Sequence, residues 1–460
     1  MKRFSWTGER VCQALGLSAT GGGAVEFAGV STDTRTMKTG ELFVALRGER
    51  YDGSEFVAEA ARAGAAGAVA ERRPEGLPDA FELFIVDDAL VALGKLAAAR
   101  RDALDPTVVA ITGTSGKTTT RELTAAALGD RAYASPGNFN NLVGTPLSIL
   151  AAPEDAGVWV LEVASNSPGE IAALGHIVRP DYAVITSVSE GHLEGLGDLE
   201  GVLAEKLSLL PALRPGGRAL VADEPELLGR RARELRPETL TVGLSELADE
   251  RPERWSSMKT GVGWRWHGVD FELEGFGSHL ISDALFACCI AHLLGVDPVD
   301  AARRLRTVKL PAMRGEVRRI DGIDLLVDCY NANPASFRAA IDALDSLAGG
   351  RRRAVLAGSM LELGERSQAL HEEVACLMVS AGIEIIAGAG AFSRAFGNCS
   401  RPDLILEDRL EDAYHELAGR LDGDEAVLIK ASRGMKFERA IPWFERDFGA
   451  AGREISRANS

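Results

Sequence analysis

The chain is 460 residues long, too long for one ordinary domain, and its length alone suggests about three. Hydrophobic residues at 46% and charged residues at 26% exclude a disordered or low-complexity chain. The formal net charge of −16 argues against a general nucleic-acid binder, which needs a basic face to displace counterions.

In chain order, residues 1–104 read as a small α/β domain, with a strand over Glu41–Leu46 ahead of an alanine-rich helix from Ser54 to Ala63. Pro106 marks a fresh start, and residues 105–312 alternate strand and helix. Strand and loop cover 107–116 and a helix runs to 128; strands follow at Val158–Val163 and Ala183–Thr186, a helix near 198–210, and a strand at Ala219–Val221. Strands separated by helices indicate a mostly parallel sheet covered on both faces. The polar stretch from about 224 to 275, with Trp255, Trp264 and Trp266, reads as an antiparallel addition, and a helix from Asp283 to Leu294 closes the unit. Residues 313–460 form a third alternating series, with strands at Asp324–Asp328, Ala354–Leu356, Glu384–Ala387 and Ala426–Ile429: a second doubly wound domain.

No apolar run is long enough to cross a bilayer, and Met1 to Ala14 is charged and polar throughout, so no membrane insertion and a cytoplasmic location are expected. The six cysteines, Cys12, Cys288, Cys289, Cys329, Cys376 and Cys399, are scattered without C-x-x-C spacing and read as buried reduced thiols.

The strongest chemical signal is Val108-Val109-Ala110-Ile111-Thr112-Gly113-Thr114-Ser115-Gly116-Lys117-Thr118-Thr119-Thr120, an apolar strand breaking into a glycine loop and continuing as a helix. Backbone N–H groups of such a loop turn inward around phosphate oxygens, the helix adds its positive end, Lys117 adds a point charge, and Thr118 offers a hydroxyl to Mg²⁺. Ile111 stands where the strict P-loop pattern has its first glycine, so this is a shorter variant. Glu162 ends an apolar strand of the same domain, where a carboxylate can hold the Mg²⁺ that bridges nucleotide phosphates. His192 and Glu194 lie in a loop after the next strand, and Lys206 on the helix beyond; spacing alone does not separate functional from solvated roles for His192 and Lys206. Asp328 to Pro334 ends the first strand of the third domain and could bind a nucleotide or peptide, or simply build a turn and cap a helix.

Taken together, these segments resemble the Mur ligase family, ATP-dependent enzymes that add amino acids to the peptidoglycan precursor; the loop is similar to that family's G-T-x-G-K-T-T version. The resemblance covers about residues 28–440. It implies an α/β, three-domain architecture: an N-terminal UDP-substrate domain, a central P-loop parallel-sheet domain and a C-terminal Rossmann-like domain. Ser31-Thr32-Asp33-Thr34-Arg35 with Gly40 to Gly48 resembles the uridine-nucleotide domain, implying substrate contacts at Ser31, Asp33 and Arg35. Gly137-Asn138-Phe139-Asn140-Asn141 with Gly144 to Leu147, the 328–334 run and Met360 to Glu365 are most similar to the branch that adds D-alanyl-D-alanine to a UDP-linked muramoyl tripeptide. Asn138, Asn140 and Asn141 are then substrate-binding positions.

The resemblance also implies roles for the weaker residues. ATP would be held by Gly113, Thr114, Ser115, Gly116, Lys117, Thr118, Thr119, Asp283, Arg314, Asp328, Tyr330 and Asn331, and Mg²⁺ by Thr118, Glu162, His192 and a carbamate on Lys206. Lys117, His192 and Lys206 would carry catalysis, and Lys430, Ser432 and Arg433 would lie near the incoming dipeptide. The implied partners are the UDP-linked tripeptide and D-alanyl-D-alanine, with the chain acting as a monomer. Some positions depart from the family pattern. Ser167 stands where a histidine is usual, Ser359 where an aspartate is, Ala431 where a glycine is, and His279-Leu280-Ile281-Ser282-Asp283 lacks the two asparagines that approach adenine. An ionised Asp283 accepts hydrogen bonds but does not donate them. The alternatives are another Mur-type ligase adding a diamino acid, or a P-loop ATPase that does not ligate.

Overall fold

The computed structural model describes residues 4–18, 25–48, 51–77, 81–258, 260–397, 401 and 403–449. Three parallel or mostly parallel sheets follow one another along the chain. The first orders its strands as Val30–Ser31, Leu42–Val44, Gly67–Ala70 and Glu82–Ile85, all parallel. The helix expected from Ser54 to Ala63 is a 3₁₀ turn, Gly53–Phe56, running into Val57–Arg62, because Asp52 caps the turn by accepting from the Ser54 N–H.

The central sheet has six parallel strands in the order Leu240–Val242, Arg218–Ala222, Tyr182–Ile185, Thr107–Thr112, Val158–Glu162 and Ala132–Ala134. Val108 to Ile111 and Trp159 to Leu161 are fully buried, as expected for strands covered by helices on both faces. Sheet growth reverses direction at Thr107–Thr112, so the loop that leaves this strand opens at the topological switch point where ligands bind such sheets. Part of the stretch expected to be an antiparallel addition instead extends this sheet, through helix Glu226–Leu235 and strand Leu240–Val242. Only Arg254–Met258, Gly261–Trp266 and Val269–Glu274 form the antiparallel unit. The closing helix, His279–Leu293, starts four residues before Asp283 and packs on helix Lys117–Leu128 behind the glycine loop.

The third sheet runs Glu316–Ile320, Ile323–Asp328, Ala426–Lys430, Arg353–Ala357, Ile385–Ala389 and Ile405–Glu407, with only the first strand antiparallel. Cys12, Cys288, Cys289 and Cys329 are buried reduced thiols, Cys376 is exposed and Cys399 lies outside the described residues.

Helix Ala89–Leu104 carries Arg100 and Arg101 into the central unit. Arg100 donates to the Ile149 carbonyl at 3.1 Å and to the Ala152 carbonyl at 2.9 Å, at the end of helix Gly144–Ala151. Arg101 donates to Val178 at 3.0 Å and Arg179 at 2.7 Å, at the end of helix Glu170–Val178. Both guanidiniums satisfy carbonyls that a helix C-terminus leaves without partners.

Candidate active site in the interdomain cleft

A cavity of about 1260 Å³ runs between the central sheet's C-terminal edge and the third domain. On the central side it is floored by the glycine loop. Gly113 and Gly116 hold φ of 150° and 82°, and a Cβ on Gly113 would lie 2.1 Å from Thr186 Oγ1, so only glycine fits. The Lys117 ammonium donates to the carbonyls of Gly113, at 2.8 Å, and Thr114, at 3.2 Å, and burial pushes its pKa down. Thr119, Asn138 and Asn140 line the same wall.

Beside the loop, Thr118 Oγ1 donates to Glu162 Oε2 at 2.8 Å, and Asn140 Nδ2 donates to Glu162 Oε1 at 2.8 Å. Glu162 is 2% exposed, a buried carboxylate rather than a surface-loop acid. Arg121, also buried, lies 3.4 Å from it, and Ser135 Oγ accepts from its backbone N–H. Neither neighbour was singled out from the sequence; each lies within ordinary helix or strand-end spacing. Asn141 instead uses its side-chain oxygen to accept from the N–H groups of Val143 and Gly144, capping the next helix.

Lys206 lies below the cleft, 1% exposed, with Ser165 Oγ at 3.1 Å as its hydrogen-bond partner. Burial, helped by the Lys117 charge, pushes its ammonium down to about 7. The solvated reading of this lysine does not hold. His192, at φ 57°, meets Glu362 of the third domain at 2.6 Å through Nδ1, which holds the Glu362 carboxyl below its ordinary pKa. The Glu194 N–H donates to the Glu362 carbonyl at 3.2 Å in the same contact.

Asp283 sits directly behind the glycine loop. Its carboxyl is 7% exposed, receives a 3.3 Å hydrogen bond from Thr120 Oγ1 and packs so closely on Gly116 that a Cβ there would lie 2.4 Å from Oδ1. Burial pushes it up to about 8, which favours the protonated form, and a protonated aspartate can donate as well as accept.

The third domain supplies the opposite wall. The Arg314 guanidinium stacks 3.9 Å over the Tyr330 ring, and both line the cavity with Asp328 and Asn331. Lys430, expected near the dipeptide, is fully buried: its Nζ lies 2.6 Å from Asp328 Oδ2 and donates to the Asn331 carbonyl at 3.1 Å. Ser432 accepts from the Leu361 N–H at 2.9 Å, while exposed Arg433 pairs with Glu438 at 2.9 Å and faces the cavity. Ser432 therefore braces the loop from within, and of the two only Arg433 faces the cavity. Ser31, Asp33 and Arg35 are not among the cavity's lining residues; they form a separate loop in which Arg35 grips Asp33 at 2.6 Å and pulls its carboxyl down to about 2.

Comparison with known proteins gives the family. Models of the Mur ligase family catalytic domain, the Mur ligase middle domain and the Mur ligase glutamate ligase domain match residues 26–101, 111–291 and 313–433. The chain is 33% identical to the UDP-N-acetylmuramoyl-tripeptide--D-alanyl-D-alanine ligase of Bacillus subtilis, over 90% of this chain and 92% of that one. It is also 33% identical to the ligase of the same name from Escherichia coli, over 91% and 94%. Among solved structures, MurF from Acinetobacter baumannii superposes with a TM-score of 0.88 at 26% identity, covering 97% of this chain and 100% of that one. MurF ligase from Thermotoga maritima in complex with ADP gives 0.81 at 30% identity, covering 91% and 97%. Family models spanning most of its length, a relative 33% identical over 90% of it and a solved structure superposing at a TM-score of 0.88 lead to one conclusion: the chain belongs to the Mur ligase family.

Proposed function

We propose that this chain is an ATP-dependent ligase that joins the terminal carboxylate of UDP-N-acetylmuramoyl tripeptide to the amine of D-alanyl-D-alanine, releasing ADP and phosphate. The observation that carries the reading is the convergence of Lys117, Glu162, which Thr118 holds by a hydrogen bond from behind, and the Arg314–Tyr330 stack on one cavity. The relatives' names support the dipeptide as the added group.

A carboxylate is a poor electrophile. Its attack on the γ-phosphorus of ATP gives an acyl phosphate and ADP; the dipeptide amine then adds to the acyl carbon, and phosphate leaves. Lys117 is placed to offset charge on the transferring phosphoryl group once its ammonium leaves the loop carbonyls, and the loop N–H groups orient the triphosphate. Two hard oxygen donors converge at Thr118 and Glu162, which suits Mg²⁺, with His192 and a carbamate on Lys206 as further ligands implied by the family. When bound, the ion offsets phosphate charge. Arg314, held flat by Tyr330, faces the glycine loop from the opposite domain, and closure of that domain keeps water from the acyl phosphate.

Action as a monomer is part of the proposal, and no helix among the described residues is long and apolar enough to cross a membrane. Cytoplasmic action is part of the same proposal. A coupled phosphate-release assay tests it. Phosphate is expected only when the UDP-tripeptide and D-alanyl-D-alanine are both present; release without an acceptor, or with a free diamino acid replacing the dipeptide, overturns the reading.

A further inference from the structure

We infer that Asn333 is a positioning residue that ties the third domain to the ATP loop through the hydroxyl of Ser115, so that occupancy of the loop sets domain closure. The inference rests on the ATP-ligase reading above. Asn333 begins helix Pro334–Ala348 and is 2% exposed. Its side chain makes two separate contacts. Oδ1 accepts from the Ser336 N–H at 2.8 Å, capping the helix, while Nδ2 crosses between domains and donates to Ser115 Oγ at 3.1 Å. A helix cap is served equally well by serine, threonine or aspartate, none of which offers an amide donor as well. Capping therefore accounts for half of what this side chain does.

The receiving end is equally specific. Ser115 sits in the loop between Thr114 and the Gly116-Lys117 pair. Its main chain is braced by Ser187, whose Oγ accepts from the Ser115 N–H at 2.8 Å and donates to its carbonyl at 3.1 Å. Its hydroxyl thus turns to the other domain while its backbone belongs to the central one. The crossing is close-packed: a Cβ on Gly191 would lie 2.5 Å from Thr114 Cγ2 and 3.7 Å from Asn333 Nδ2. Farther along the same interface, His192 and Glu362 close a second contact.

The helix that Asn333 caps follows directly on the segment carrying Asp328, Tyr330 and Asn331, so a shift of the loop tip moves that whole wall. A triphosphate held by the N–H groups that follow Ser115, at the start of helix Lys117–Leu128, bears directly on where the Ser115 hydroxyl sits, and Asn333 reads that position.

The test is a double-mutant cycle on the full-length chain with S115A and N333S, the latter keeping a side-chain cap too short to cross. Each single variant is expected to lower kcat/KM for ATP about three- to tenfold, the worth of one buried neutral hydrogen bond, with thermal unfolding near that of the parent. The double variant should lose no more than the worse single. Small-angle scattering with Mg²⁺ and a non-hydrolysable ATP analogue should show contraction of the parent and a weaker contraction of both variants. Parent-like kcat/KM in S115A, or losses that multiply in the double variant, would overturn the coupling. Scattering needs no turnover, so failure of the ligase reading and failure of the coupling appear in different measurements.

Discussion

Replacing Asp283 with asparagine isolates the cost of burying an acid against a phosphate loop. The carboxyl has an ordinary value of 3.8 and is pushed up to about 8 by burial, with the Thr120 hydroxyl and the more distant Arg314 charge opposing the shift. A raised acid keeps its proton in the folded chain while the unfolded chain has lost it. Its contribution is therefore intact below about pH 4, falls as pH rises through the window to about 8, and is flat above. Within that window each pH unit removes about 1.4 kcal/mol, so from pH 6 to pH 8 the parent loses roughly 2 to 3 kcal/mol that D283N does not. For a domain the size of the central one this is a difference in Tm that widens by about 5–10 °C. Differential scanning fluorimetry of both proteins at half-unit steps from pH 5 to 9 reads it directly. A gap that stays constant with pH would mean Asp283 is ionised and paired in the folded chain, and the reasoning would be wrong.

Three further outcomes follow from the same geometry. E162Q keeps the size of the side chain but gives up the charge facing Thr118; turnover should fall about 10²–10³-fold with little change in Tm, and a loss under threefold in a Mg²⁺-titrated assay would remove Glu162 from the metal site. R101A leaves the buried Val178 carbonyl and the partly buried Arg179 carbonyl without their donor, costing about 2–3 kcal/mol in thermal unfolding; an unshifted Tm would show that water replaces the guanidinium. Y330A removes the ring beneath Arg314, and KM for ATP should rise about fivefold whereas Y330F stays near the parent; equal effects would assign the role to the phenol hydroxyl instead.

The glycine loop was legible because its signal is local: a β-branched run, two glycines needing positive φ, and a helix start all fall within a short stretch. Glu162 was legible for the same reason, as the last residue of an apolar strand. Contacts that join distant segments were not. Asn333 and Ser115 are 218 residues apart in sequence, and His192 and Glu362 are 170 apart, so no window of the chain contains either pair. Protonation was hidden too. Asp283 and Lys206 are ordinary charged letters until burial decides which form they hold. Edge strands such as Leu240–Val242 and Ile405–Glu407 are three residues long, too short to display a period.

The paired guanidiniums at the end of helix Ala89–Leu104 carry a consequence for substrate choice. By riveting the first unit to two helix ends of the second, Arg100 and Arg101 make the loop at Ser31–Arg35 and the glycine loop two marks on one rigid gauge. If the proposed function holds, with the acceptor's nucleotide at Ser31–Arg35, its peptide has to span the distance between the two loops to deliver a carboxylate to the far mark. On the proposed reading, that span lies within the first two units, so selection by length does not depend on movement of the third.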